Sequence, residues 1–200
     1  RRVESRINCY TAKPAYQYYG RRLGIFFCPY PSVEEYCHSL ITNGSFKMKI
    51  LTWNLQRLEK NKNQRILDKL AEFNADIMIL TETNCAISFD DSYNLAQTQP
   101  LPNHFDGIVY ANGENRTTIL TKYNITERYK TFDGFTSVCV EIDTPSGPII
   151  FYGTIIGIFG GKGQRFKNDL QKHLADFEKI FTGNEVCIAG DLNVTFSGYT

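Results

Sequence analysis

The 200-residue sequence has almost no net charge, formally +1 at pH 7. No global field therefore recruits a polyanion or an anionic membrane, and any such contact has to be local. Long hydrophobic runs are missing: the longest nearly unbroken apolar stretch, residues 149–159, falls well short of the about 20 residues a bilayer-spanning helix needs. No apolar segment with a small-residue cleavage site follows Arg1 and Arg2, so no secretory signal is read. Repeats and low-complexity tracts are absent, which excludes a solenoid. Histidine is scarce, with three in the chain, and none follows a strand-end nucleophile; this argues against a Ser-His-Asp or Cys-His hydrolase. The six cysteines form no paired knuckle and no framework pattern, so a reducing, cytoplasmic setting is the expectation. What is present, 42% hydrophobic and 22% charged residues, is a folding composition and excludes a disordered chain.

The charge is unevenly spread. Residues 1–47 hold seven Lys/Arg against three Asp/Glu, and residues 48–200 hold fifteen against eighteen. The first segment also carries six of the twelve tyrosines and is punctuated by Pro14, Gly20, Gly24, Pro29, Pro31 and Gly44 without a sustained period of 2 or 3.6. These features place a boundary at Met48: a Tyr-rich basic extension over 1–47, then a regular domain over 48–200. Tyr16, Tyr18 and Tyr19 between Lys13 and Arg21-Arg22 form a possible stacking surface for single-stranded nucleic acid, but a tail packing its aromatics on the neighbouring domain is the favoured reading. Cys9, Cys28, Cys37 and His38 are zinc-type ligands at spacings that disfavour zinc.

From Met48 the pattern alternates. Residues 49–53 (KILTW) read as a strand ending at Asn54. A helix follows, with Asn61 and Gln64 as a capping box, Ile66, Leu67, Leu70 and Phe73 on one face, and Asn74 as a left-handed stop. The unbroken run 77–80 (IMIL) reads as a strand buried on both faces, delivering Glu82. Strands are expected at 107–110, 117–121, 137–142 and 148–156, with a hairpin turn at 143–147. A second helix over 166–181 carries Phe166, Leu170, His173, Leu174, Phe177, Ile180 and Phe181 on its apolar stripe. A last buried strand, 186–189, delivers Gly190-Asp191-Leu192-Asn193.

Three buried strands thus end in Asn54, Glu82 and the Asp191/Asn193 pair, and ligands of α/β sheets collect at carboxyl ends of strands. Each alone is an ordinary loop start. Together they supply a hard oxygen ligand for Mg²⁺, a carboxylate able to act on water, and two amides that hold phosphate oxygens without adding charge. The glycine-rich residues 157–163 fail the spacing of a nucleotide-binding phosphate loop, yet they gather Lys162, Arg165 and Lys167 into a basic cluster able to neutralise phosphates of a polynucleotide.

KILTWNLQ (49–56), DIMILTET (76–83), RTTILTKYNI (116–125) and IAGDLNVT (188–195) resemble, in order, motifs of the endonuclease/exonuclease/phosphatase superfamily, which includes exonuclease III, DNase I, neutral sphingomyelinases and inositol-polyphosphate 5-phosphatases. The resemblance implies an α/β fold, a two-sheet β-sandwich flanked by helices, here incomplete at its C-terminal edge. It implies a metal-dependent phosphoesterase using Mg²⁺, with Mn²⁺ as a substitute. Glu82 matches the acidic metal ligand, Asn54 the asparagine beside metal and scissile phosphate, Asp191 the residue activating water, and Asn193 the amide on the phosphate. Thr154 falls where the family places a phosphate-contacting Tyr or His. DNA is the expected substrate; the alternatives are a small or lipid phosphoester, or a degenerate domain that binds without hydrolysing. The family's late Asp-His pair does not occur before Thr200, so 48–200 is read as the N-terminal portion of the domain, expected to have little or no activity by itself.

Overall fold

The structure, a computed structural model, describes residues 7–10, 23–27, 37–43, 46–56, 62–83, 86–105, 107–157 and 163–193. In chain order its elements are β1 (Ile7–Tyr10), β2 (Leu23–Phe27), β3 (Cys37–Asn43), β4 (Phe46–Asn54), α1 (Asn63–Phe73), β5 (Ile77–Thr81), β6 (Asn94–Gln97), β7 (His104–Phe105), β8 (Ile108–Val109), β9 (Thr117–Thr121), β10 (Asn124–Tyr129), β11 (Ser137–Thr144), β12 (Gly147–Ile155), α2 (Gln164–Phe181) and β13 (Val186–Asp191). Two sheets stack face to face, one ordered β1-β3-β4-β5-β9-β6 and the other β10-β11-β12-β13-β2; β7 and β8 form a separate ribbon. The expected two-sheet sandwich flanked by helices is what forms.

Period-2 alternation sorts each central strand between two faces. Met48, Ile50, Ile77, Ile79, Ile119, Val140, Phe151, Cys187 and Ala189 meet between the sheets. The opposite faces carry Leu51, Trp53, Met78, Leu80 and Leu120 against Ile66 and Leu70 of α1, and Ile150, Tyr152 and Ile188 against Ile180 of α2. The layers therefore run helix, sheet, sheet, helix. Because both faces of β5 and β9 are covered, all five positions of each are buried.

Some local expectations need correction. α1 begins after Lys62 with no side-chain cap, and Gln64 bonds Asp68 at 2.9 Å instead of closing a capping box; Asn61 lies outside the described residues. Its stop is as expected: Asn74 takes φ 44°, ψ 45° and donates its N–H to Leu70 O. Leu174 of α2 is half-exposed, not on the buried stripe. Strand pairing also crosses Met48, since β4 begins at Phe46 and pairs antiparallel with β3, while β2 joins β13 in parallel. Tyr16, Tyr18, Tyr19 and Cys28 lie outside the described residues, as does Lys162. No helix among the described residues is long and apolar enough to cross a membrane.

Candidate active site

Parallel pairing sets where the strand ends fall. In the first sheet Asn54 sits opposite Thr81 on β4 and β5, so Glu82 is the next residue out. In the second sheet Ile155 sits opposite Asp191 on β12 and β13. Stacking the sheets brings these ends together: Asn54 Nδ2 donates to Asp191 Oδ2 at 3.1 Å, joining residues 137 positions apart. The amide of Asn54 has one sensible orientation, because its Oδ1 accepts the Gln56 N–H at 2.8 Å.

The backbone at this edge is unusual. Four non-glycine residues among those described have positive φ, and three of them, Gln56 at 54°, Glu82 at 53° and Asn193 at 49°, follow the ends of β4, β5 and β13. Such conformations persist where the surroundings over-determine them, and they gather at functional sites. Here the anchors are visible. Glu82 N–H donates to Arg116 O at 2.8 Å, Leu55 N–H to Thr81 O at 2.8 Å, and Asn193 Nδ2 to Ile156 O at 2.9 Å.

Gly190 explains the first letter of the Gly-Asp-x-Asn motif. Its φ is 131°, and a Cβ there would stand 2.0 Å from Thr154 O, so only glycine lets β13 lie against β12 while aiming Asp191 between the sheets. Burial pushes the Asp191 carboxyl above its ordinary range, with the Asn54 amide and the Asn193 backbone and side chain pulling the other way.

Polarity rises toward this edge. Thr52 and Thr81 alternate with the core residues Ile50 and Ile79, and their hydroxyls are buried without a protein partner, as is Arg116 Nε. Arg116 itself is buried, its guanidinium donating to the Tyr110 hydroxyl and lying 5.1 Å from the Tyr110 ring centre. Glu82, Asn54 and Asp191 offer oxygen donors only, a hard set suited to Mg²⁺. Among the described residues no three acidic, His or Cys side chains close a cage.

Other expected residues fall elsewhere. Thr154 is fully buried and its hydroxyl faces α2, 2.8 Å from His173 Nε2, so it does not line the edge. Arg165 and Lys167 are exposed on the first turn of α2. His173 has no exposure at all, as expected of a core histidine, but it is hydrogen-bonded to Thr154 and Ser137, which helical periodicity does not show.

The sequence profile of the endonuclease/exonuclease/phosphatase family matches residues 51–200. No curated protein sequence matches the chain. Among solved structures it is similar to the endonuclease domain of TRAS1, a telomere-specific non-LTR retrotransposon, with 17% identity and TM-score 0.53 over 74% of this chain and 61% of that one. An AP endonuclease from Archaeoglobus fulgidus gives 15% identity and TM-score 0.54 over 74% and 58%. Sphingomyelinase C from Streptomyces griseocarneus gives 18% and 0.52 over 74% and 64%. These likenesses are of fold, and the chain spans about three-fifths of the length of each of these structures.

Proposed function

The chain belongs to the endonuclease/exonuclease/phosphatase family, and from that premise we propose that it is the metal- and phosphate-handling part of a divalent-metal-dependent phosphodiester hydrolase acting on DNA. The observation that carries this reading is the Asn54–Asp191 contact across the two sheets, beside the strand end that bears Glu82. Glu82 and Asn54 would hold Mg²⁺, or Mn²⁺ in its place. Asn54 Oδ1 has one lone pair engaged by Gln56 and a second for the ion. When bound, the ion neutralises charge on the phosphoryl oxygens and the leaving group.

Asp191 takes the proton of the attacking water. Its raised pKa makes it a better proton acceptor than a surface aspartate, and its amide neighbours orient it without neutralising it. Asn193 Nδ2 donates to Ile156 O and its side chain also bonds the Asp191 carboxylate, so its amide would reach a phosphate oxygen by exchanging the Asp191 contact. Arg165 and Lys167, with Lys162 before them in sequence, supply local positive charge for a polynucleotide in a domain that is otherwise net acidic. Two of the three fold relatives are named as endonucleases. That acidity, together with the sphingomyelinase among the relatives, favours a second reading, hydrolysis of a small or lipid phosphoester.

Mn²⁺ binding followed by electron paramagnetic resonance tests the ligand set: it is expected to disappear in Glu82→Ala, and binding that survives overturns the assignment. Mg²⁺-dependent nicking of plasmid and abasic-site DNA, abolished by EDTA, supports the nuclease. Phosphate release from inositol phosphates without DNA cleavage moves the substrate to the small phosphoesters. Mn²⁺ bound with neither substrate turned over supports the metal-holding role alone.

A further inference from the structure

Helix α2 does more than cover the second sheet. His173, fully buried, places Nδ1 3.0 Å from the Asp169 carbonyl oxygen one turn earlier. A carbonyl only accepts, so Nδ1 carries the proton. Burial keeps the ring neutral, which leaves Nε2 as an acceptor. It lies 2.8 Å from Thr154 Oγ1 and 3.2 Å from Ser137 Oγ. Those two hydroxyls are 2.7 Å apart on paired positions of β11 and β12. The same turn of α2 reaches the chain again three residues on, where Asp169 Oδ2 accepts the Gly157 N–H at 2.8 Å.

Residues 154–157 are therefore gripped twice from the α2 side. Their other side grips the site. Thr154 pairs with Gly190, Ile156 N–H donates to Asp191 O at 2.9 Å, and Ile156 O accepts Asn193 Nδ2 at 2.9 Å. A leucine would fill the His173 space, between the rings of Phe132, Tyr152 and Phe177, without obliging two hydroxyls to be buried. A satisfied polar network adds what apolar packing lacks, a single fixed geometry.

The geometry points to His173 as a positioning residue, which with Asp169 and Thr154 fixes the end of β12 and thereby orients Asp191 and Asn193. This rests on the catalytic reading of those two residues, but its test does not need turnover. In the full chain, the side-chain amide resonance of Asn193 and hydrogen exchange at the Ile156 amide report the brace directly. The buried Asn115 amide, bonded to Thr117 O and Thr118 Oγ1, and the Ile79 backbone amide serve as internal controls.

His173→Leu is expected to shift the Asn193 signal and speed Ile156 exchange at least about tenfold relative to Ile79, with Asn115 unmoved. His173→Gln, whose amide oxygen still accepts from Thr154, is expected to restore both. Thr154→Val makes the same cut from the strand side and is the test variant if His173→Leu does not fold. The inference is overturned if Asn193 stays put and Ile156 exchange merely follows the rest of the core. A brace response in a protein that binds no Mn²⁺ keeps this inference and removes the metal reading.

Discussion

Gly190→Ala is the sharpest perturbation of the strand that carries Asp191. The substituted Cβ would lie 2.0 Å from Thr154 O and 3.1 Å from its C and N, where real Cβ atoms essentially never come closer than 3.0 Å. The obstacle is backbone inside a sheet, so β12 and β13 have to part by about 1 Å. A positive φ of 131° adds conformational strain of about 1–3 kcal/mol. Overpacking adds about 1–3 kcal/mol, and each ladder bond lost about 1 kcal/mol more. With one ladder bond lost the sum is roughly 3–7 kcal/mol, or about 6–28 °C in Tm for a chain of this size.

Two other glycines separate the causes. Gly183 has φ 86° but open space around it, so Gly183→Ala carries strain alone, about 1–2 kcal/mol. Gly153 would put its Cβ 2.9 Å from Thr117 Cγ2 and 3.1 Å from Ile79 Cγ2, methyl ends that shift more cheaply than backbone. Thermal unfolding by circular dichroism is expected to rank Gly190→Ala well below both. A Gly190→Ala protein melting within a few degrees of Gly183→Ala would refute the claim that close strand approach makes this glycine obligatory.

Asp191→Asn is expected to raise Tm at neutral pH in EDTA, because it removes a charge that burial disfavours at this position. Burial raises this group's pKa above its unfolded value of 3.8, so its charge costs stability above the folded pKa and that cost fades as pH falls through it. The gap between variant and wild type should therefore close on acidification, and a constant or widening gap contradicts the assignment. Thr52→Val and Thr81→Val remove buried hydroxyls that have no protein partner; each is expected to leave stability unchanged or raise it by about 1 kcal/mol in urea unfolding, and a loss above about 1 kcal/mol would show that the hydroxyl is satisfied in solution.

The parts of this fold that were legible are those whose burial is two-sided or strictly periodic. The unbroken IMIL reads as a covered strand and is one, and Ile66 and Leu70 fall on the buried side of α1 at helical spacing. Edge strands gave no such signal. β6 buries only Ala96 and β10 buries no residue fully, its Ile125 and Tyr129 being partly covered, so both look like polar loops. The punctuation of residues 1–47 hid β1–β3 for a related reason, because pairing partners far along the chain leave no local period.

For the site, strand ends were visible and connections between sheets were not. Asn54 and Asp191 could be marked as strand termini, but their 3.1 Å contact depends on how two sheets stack. Thr154 matches the family position along β12, but period-2 alternation puts Ile155, not Thr154, on the side of Asp191, and turns Thr154 toward α2. The useful signal was available only in combination: a histidine on an apolar helical stripe, and hydroxyls at two strand positions that register makes neighbours.

Along the inter-sheet layer, Ile50, Ile79, Ile119 and Phe151 give way within one strand repeat to Thr52, Thr81, Thr117 and Gly153, and then to Asn54 and Asp191. Thr117 finds Thr136 O at 2.8 Å, whereas Thr52 and Thr81 find no protein acceptor. A half-buried carboxylate, two hydroxyls without a protein partner and three left-handed non-glycine residues all oppose folding, and all lie toward the edge where β4, β5 and β13 end. Random drift toward marginal stability would scatter such costs over the molecule. Their concentration around Asn54, Glu82 and Asp191 is what the proposed site would require if it trades stability for chemistry. It also accounts for the bracing from α2: an edge that cannot hold itself by apolar packing is held from behind, through His173 and Asp169, by a helix that can.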